Sequence, residues 1–145
     1  MNKEVYIGQR VVCLARQVDR AIGKEISEYS ISTIQAKIIS YLFYQTKECT
    51  KDIFQKDIEE NFGIRRSSVS SVLDKLEENK FIERKSCEKD ARLKKIELTT
   101  EGVEMCKLIR NSIYKIEESL EDSLSSAELN FFLDIINRLS SKIDN

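Results

Sequence analysis

The chain has 145 residues, 41% of them hydrophobic and 34% charged, with a formal net charge of -1. This length fits one domain, or one domain with an added interface, and the apolar content is sufficient for a core. Because the sequence contains no histidine and no glycine loop that could hold a phosphate, it excludes a histidine base and favours no enzyme. The four cysteines lack the paired spacing of a zinc site, so we expect neither a metal nor a cofactor.

No apolar run near the N-terminus is long enough for a signal peptide, and no later run approaches the length of a membrane span. We therefore expect a cytoplasmic protein that makes no contact with membranes.

The chain has no proline and only four glycines, which favours helices joined by short connections. Apolar residues at steps of three and four predict a first amphipathic helix that ends near Glu28. Ser32 and Gln35 form a capping-box pattern that predicts the start of a second helix. The segment "QKDIEENFG" predicts a short third helix that ends at Gly63.

A fourth helix is predicted over "RRSSVSSVLDKLEENK", with Val69, Val72, Leu73 and Leu76 on its inner face. Two extended segments follow, "FIERKS" and "KKIELT", and the loop "CEKDARL" lies between them. In the second segment Lys95 and Glu97 should face outward.

Two further helices complete the chain. Thr99 is a plausible cap for the fifth helix, and Ser125 with Glu128 makes a capping box for the sixth. Leu124 is placed to pack on Leu129 at the start of that helix.

Two short helices followed by a hairpin are typical of a winged helix-turn-helix, here over residues 50–100. We therefore predict a mainly α (α+β) fold in a single domain over 1–145. The flanking segments, 1–30 and 101–145, form long helices that are apolar on one face and predict a dimerisation bundle. Its candidate interface residues are Val11, Leu14, Ile113, Leu133, Ile136 and Leu139.

The second helix of a helix-turn-helix enters the major groove of DNA and needs small or polar residues on its outer face. The fourth helix of this chain supplies them, since arginine can grip guanine and serine can contact phosphates or bases. The alternative is that the serines only start the helix and that the arginines are solvated. The candidate DNA contacts here are Arg65, Arg66, Ser67, Ser68, Ser70, Ser71 and Lys75.

Positive charge is concentrated in the hairpin, where the segment 83–99 carries six basic residues (Arg84, Lys85, Lys89, Arg92, Lys94 and Lys95). A basic hairpin after the recognition helix can reach the minor groove, whose negative potential favours arginine. The alternative is a solvated charged hairpin. The candidate DNA contacts in the hairpin are Lys85, Lys89, Arg92 and Lys94.

From the third helix to "LTTEG", the sequence resembles the MarR family of bacterial transcriptional regulators, with the wing signature D-x-R as "DAR" and L-T-x-x-G as "LTTEG". The resemblance implies a homodimer that binds pseudo-palindromic double-stranded DNA. It also implies that Arg92 is the wing-tip arginine in the minor groove and that Asp90 steadies it. Arg65 departs from the family, which often has a small capping residue such as serine at this position.

The resemblance further implies a response to a signal, and with it a repressor. Some family members sense organic peroxides through a cysteine in the first helix, where Cys13 lies here between Arg10 and Arg16. The alternative is that Cys13 is a small apolar residue in the dimer bundle. Family members also bind small aromatic or lipophilic effectors near the region of Tyr29, Tyr41 and Phe43, although core packing also explains these side chains.

The fold is compatible with a second function. A winged helix can serve as a protein-interaction module without operator binding, with its basic wing as the docking surface. Salt-dependent binding to duplex DNA separates the two hypotheses.

Overall fold

The computed structural model describes residues 6–144, which contain six α-helices and one two-stranded antiparallel sheet. The mainly α class and the winged helix-turn-helix are confirmed. The helices are α1 (Ile7–Ile26), α2 (Thr33–Phe43), α3 (Gln55–Phe62), α4 (Arg66–Glu78), α5 (Thr100–Asp122) and α6 (Ser126–Ile143), and the strands are β1 (Ile82–Ser86) and β2 (Lys94–Leu98). A 3₁₀ turn (Ser27–Tyr29) follows α1, and a π-helical turn (Tyr44–Glu48) follows α2.

The chain divides into two compact units, the first ending at Ser112 and the second beginning at Ile113, both within α5. The buried core belongs to the first unit and is formed mainly by α2, α3, α4 and the hairpin. Its fully buried side chains include Ile38, Ile39, Leu42, Ile53, Ile58, Val69, Leu73, Leu76, Ile82 and Ile96. In the second unit α6 has no buried residue. None of the helices within residues 6–144 is both long enough and apolar enough to span a membrane.

The helix ends follow the predicted caps. The Gln35 N–H donates to Ser32 Oγ at 3.3 Å, and the Ser32 N–H donates to Gln35 Oε1 at 2.7 Å. The same reciprocal pair joins Ser125 and Glu128 at the start of α6. Gly63 ends α3 in the left-handed conformation, with φ of 62°. These capping predictions are confirmed because each depends on residues close in sequence.

The buried face of α4 differs from the predicted one at a single residue. Val69, Leu73 and Leu76 are fully buried, whereas Val72 is only half-buried. The hairpin pairs Ile82 with Leu98 at one end and Ser86 with Lys94 at the other.

A short extended segment before α3 also pairs with the sheet, which the sequence patterns did not indicate. Phe54 forms an isolated antiparallel bridge with Lys95, and the Ile96 N–H donates to the Ile53 carbonyl at 2.8 Å. This pairing attaches the entry of the helix-turn-helix to the wing.

Thr99 and Gly102 attach the start of α5 to the exit of α4. The Gly102 N–H donates to Thr99 Oγ1 at 3.0 Å, so Thr99 caps the helix as predicted. The Thr99 hydroxyl also donates to the Lys80 carbonyl, and the Thr99 N–H donates to the Phe81 carbonyl at 3.0 Å. A Cβ on Gly102 would lie 2.0 Å from the Phe81 oxygen, so only glycine fits there.

We expect Gly102→Ala to lower the free energy of unfolding by about 1–3 kcal/mol, because the added methyl group meets backbone atoms that cannot turn aside. Urea denaturation monitored by circular dichroism measures this change. Gly8→Ala is the matched control, because nothing lies within 4 Å of its added Cβ. That change should be neutral or stabilise α1 by up to about 1 kcal/mol. Equal stability of wild type and Gly102→Ala would contradict the steric explanation.

Candidate nucleic-acid interface

The outer face of α4 carries the predicted contact residues. Because Val69, Leu73 and Leu76 face the core, the 3.6-residue period of the helix directs the residues between them outward. Six of the seven candidates are exposed and Ser70 is half-buried; the exposed ones are Arg65, Arg66, Ser67, Ser68, Ser71 and Lys75. Among the described residues, Arg65, Arg66 and Lys75 lie in no ion pair within 4 Å. Lys56, which lies beside this face, forms an ion pair with Glu60.

The start of α4 has no side-chain cap. Arg65 occupies the N-cap position in an extended conformation, and its side chain makes no capping hydrogen bond. A contact from α3 holds this end instead. The Gln55 amide Nε2 donates to Ser70 Oγ at 2.8 Å and to the Arg66 carbonyl at 3.2 Å. The sequence patterns did not single out Gln55; the available signal was a polar residue at the first position of α3.

The loop of the wing is closed by Asp90. Its Oδ1 accepts from the Arg92 N–H at 3.0 Å and lies 3.5 Å from Arg92 Nε. The Leu93 N–H donates to the Asp90 carbonyl at 3.0 Å, and the Cys87 N–H donates to the Leu93 carbonyl at 2.9 Å. The Arg92 side chain is 93% exposed. The loop therefore presents this guanidinium to solvent while Asp90 restrains its backbone.

Arg84 joins the wing to the recognition helix α4. Its Nη2 lies 2.7 Å from Asp74 Oδ1 and 3.1 Å from Glu77 Oε1, and its backbone N–H donates to Glu77 Oε2 at 3.2 Å. The Arg84 side chain is only 23% exposed. Hydrogen bonds to Glu77 and Asp74 raise the pKa of Arg84, and the hydrogen bond from Arg84 lowers the pKa of Glu77.

The wing, α3 and α4 line a cleft of about 380 Å³ that we call the basic cleft. Arg66 from α4, Arg92 and Lys94 from the wing, and Lys56 from α3 supply its positive charge. Its remaining lining residues are Phe54, Gln55, Glu59, Arg84, Leu93 and Ile96. The structure thus brings Arg66, Arg92 and Lys94 into one surface, although they are up to 28 residues apart in sequence.

Comparison with known proteins agrees with this geometry. The model of the MarR family matches residues 48–94, which include α3, α4, β1 and the loop of the wing. This segment of the chain is similar to the MarR family. A search of the curated proteins found no match.

Two solved structures have a fold similar to that of this chain. Wild-type MarR (apo form) from E. coli is 18% identical with a TM-score of 0.81, over 95% of this chain and 98% of that one. The S. aureus MepR–DNA complex is 21% identical with a TM-score of 0.82, over 97% of this chain and 99% of that one. At these identities the likeness shows the winged-helix fold.

Not all basic residues of the wing are free to bind a ligand. Lys85 Nζ lies 2.9 Å from Glu97 Oε2, and Lys95 Nζ lies 2.9 Å from both Asp52 and Glu97. These contacts raise the pKa of both lysines, Lys85 mainly through Glu97 and Lys95 mainly through Asp52. Lys85 is therefore the predicted contact whose charge is already matched within the chain.

Lys89 and Lys94 differ from the other wing lysines. Both are exposed, and neither has an ion-pair partner within 4 Å in the part of the chain that the structure describes. Lys94 lies close enough to Glu77 to contribute to lowering the pKa of that carboxyl. With Arg92, these lysines form the available positive charge of the wing.

Of the cysteines, Cys13 was predicted as a redox sensor, with apolar packing as the alternative, and aromatic side chains including Tyr41 were named near a proposed effector region. Cys13 is exposed on α1, Cys87 is half-buried, and all four cysteines are free thiols. Tyr41 packs edge-on against Phe62 with ring centroids 5.6 Å apart, so it takes part in packing within the first unit. Between residues 6 and 144 there is no group of three side chains suited to hold a metal.

We expect Arg84→Met to lower the free energy of unfolding by about 1–2 kcal/mol at neutral pH, because it removes charged hydrogen bonds that are partly screened by solvent. The lowered pKa of Glu77 means that its ionised form stabilises the folded protein. This contribution is present above the ordinary carboxyl pKa and is lost as the pH falls through the lowered one. The difference in stability between wild type and variant should therefore shrink between about pH 7 and pH 3.

Thermal denaturation of both proteins across this pH range measures the effect. Lys107→Met is the matched control, because it removes a surface-exposed ion pair with Glu104 in α5. It should change stability by less than about 0.5 kcal/mol. A difference between wild type and Arg84→Met that stays constant or grows in acid would contradict the proposed role of Glu77.

Proposed function

We propose that this chain is a member of the MarR family, and that it is a sequence-specific regulator of transcription that binds double-stranded DNA as a homodimer. The observation that carries the proposal is the basic cleft, in which Arg66 of α4 and Arg92 and Lys94 of the wing face one space. It is supported by the S. aureus MepR structure, whose fold is similar and which is a complex with DNA.

Helix α4 has the dimensions and surface of a major-groove reader. Its 13 residues span about 20 Å, and a major groove about 12 Å wide admits a single α-helix. The small side chains of Ser67, Ser68 and Ser71 let the helix approach the bases closely. Arg66 at the first turn is placed to donate two hydrogen bonds to guanine, the commonest specific contact of arginine.

The wing supplies contacts of a different kind. Arg92 is almost fully exposed and is held by Asp90 at the tip of the loop, which suits insertion into a narrow minor groove. Lys89 and Lys94 are available for phosphates. We assign no phosphate contact to Lys85, because Glu97 matches its charge.

This assignment is tested by measuring binding to a duplex selected from a random pool, and to a scrambled duplex, over a salt series. Arg92→Ala should weaken binding to both duplexes and make the salt dependence shallower, because one cationic contact is lost per subunit. Arg66→Ala should cost roughly 1–3 kcal/mol per site on the selected duplex and relax the preference at one symmetric base position.

Lys85→Ala is the matched control in the same wing, since its charge is already compensated by Glu97. It should leave the salt dependence close to that of wild type. If Arg66→Ala and Arg92→Ala both leave affinity and salt dependence unchanged, the DNA interface is wrong, and a protein-docking winged helix becomes the better proposal.

The homodimer is supported by apolar side chains left exposed on the terminal helices. On α1 these include Val11 and Leu14, which are 43% and 46% exposed. On α6 they include Phe131 and Leu133, at 66% and 49%. Exposed apolar faces of this kind mark an interface. We propose that a second copy of the chain covers them, because a two-fold symmetric DNA site matches a two-fold symmetric dimer.

We expect the wild-type protein to sediment as a dimer at micromolar concentration and Leu133→Glu to shift it towards the monomer, because the change places a charge in an apolar interface. Asn130→Glu on the same helix adds the same charge without removing apolar surface and should remain dimeric. Analytical ultracentrifugation distinguishes these states. A monomeric wild-type protein would contradict the proposal.

The proposal also includes the direction of regulation and the signal that controls it. We propose a repressor that is released by a small aromatic or lipophilic effector or by oxidation of a thiol. For the thiol, the supporting observation is that Cys13 is exposed on α1, with Arg10 and Arg16 three residues to either side.

A further inference from the structure

Gln55 connects the two helices of the helix-turn-helix and contacts two of the predicted DNA-binding residues, Arg66 and Ser70. Building on the proposed function, we propose that Gln55 is a positioning residue for DNA recognition, which fixes the start of α4 and holds the Ser70 hydroxyl as a hydrogen-bond donor towards the DNA. The inference rests on the side-chain geometry of Gln55, Arg66 and Ser70 and on the missing cap at Arg65.

The first step concerns the start of α4. A helix N-terminus leaves backbone N–H groups unpaired, and a side-chain cap normally satisfies one of them and fixes the entry of the chain. Arg65 makes no such hydrogen bond. The Gln55 side chain instead donates to the Arg66 carbonyl, in the first turn, and to Ser70, one turn later. It therefore sets the position of this end of α4 relative to α3.

The second step is the number of hydrogens that Gln55 has to give. Its amide nitrogen carries two, and three acceptors lie within reach: Ser70 Oγ at 2.8 Å, the Arg66 carbonyl at 3.2 Å and Glu59 Oε1 at 3.4 Å. The two shorter contacts account for both hydrogens, and Glu59 receives the weakest share. Ser70 thus accepts the strongest hydrogen bond of the set.

The third step follows from the chemistry of serine. Within a helix a serine hydroxyl commonly donates to the carbonyl four residues earlier, which for Ser70 is Arg66. Here Gln55 donates to that carbonyl and also to Ser70 Oγ. The hydroxyl hydrogen of Ser70 is consequently left to donate away from the helix, where the proposed DNA lies.

This orientation has a consequence for base preference. In the major groove a hydroxyl can donate to guanine, adenine or thymine, or accept from the amino group of cytosine. Gln55 already occupies one of the two acceptor lone pairs of Ser70 Oγ, which favours the donating contact. We therefore expect the wild-type protein to disfavour cytosine at the position that Ser70 faces. Without Gln55 the hydroxyl can rotate, and this discrimination should weaken.

The variant that tests the inference is Gln55→Met, which keeps the length of the side chain and removes both donors. Affinity for the selected duplex should fall by about fivefold to tenfold, as for the loss of one or two neutral hydrogen bonds. Affinity for scrambled duplex and the salt dependence should stay as in wild type, because no cation is removed. A merely structural role would weaken both duplexes equally.

Two further variants complete the design. Asn61→Leu, an exposed position near the other end of α3, is the control and should leave both affinities unchanged. Ser70→Ala should admit cytosine at the same base position as Gln55→Met. In the double variant the two losses should be less than additive, because both remove one interaction. Ser70→Ala alone tests the base preference even if Gln55→Met is too unstable to assay.

The outcomes separate the two proposals. If the wild-type protein binds the selected duplex, and Gln55→Met binds it with the same affinity and the same base preference, only the role of Gln55 is overturned. Fully additive losses in the double variant overturn the link to Ser70. If the wild-type protein shows no salt-dependent binding to any duplex, the proposed DNA-binding function itself fails, and the role of Gln55 fails with it.

Discussion

The relation between the recognition helix and the wing depends on the ion pairs of Arg84. Its guanidinium contacts Asp74 and Glu77 on α4, and its backbone lies in β1. A hairpin of two short strands is marginally stable by itself, so its position must come from packing and from contacts such as these. With Arg84 paired, Arg66 and Arg92 face one cleft. In the proposed DNA complex, the phosphates would meet cations that are already in place, so that less ordering is needed on binding.

Positive charge in the wing therefore has two roles that composition does not separate. Arg84, Lys85 and Lys95 are matched by carboxylates and hold the sheet and helices together. The other basic residues of the wing lie at its exposed tip and in the basic cleft. This division reconciles a formal net charge of -1 with the proposed nucleic-acid surface. Over distances longer than about 8–10 Å, salt screens the acidic excess elsewhere in the chain. The local arrangement of charge decides the interaction.

Features of the fold that depend on neighbouring residues could be predicted from the sequence. The capping boxes at Ser32 and Ser125 and the buried face of α4 required only local spacing. The family resemblance placed Asp90 beside Arg92. The contacts of Gln55 with α4 and the pairing of Phe54 with Lys95 could not be found in this way, because they join residues 11 to 41 positions apart. For the same reason Lys85 was predicted as a free cation, since its partner Glu97 lies on the other strand.

The exit of α4 and the entry of α5 form one rigid junction, which limits how the recognition helix can move. Lys80 adopts φ of 61°, a conformation that turns the chain sharply after α4, and its carbonyl accepts from the Thr99 hydroxyl. Gly102 lies against the Phe81 carbonyl with no room for a side chain. With Gln55 holding the start of α4 and this junction holding its end, both ends are fixed by polar contacts, and the buried face of α4 fixes its rotation. A helix restrained in these three ways presents its serines and Arg66 in one orientation, which is what discrimination between base edges requires.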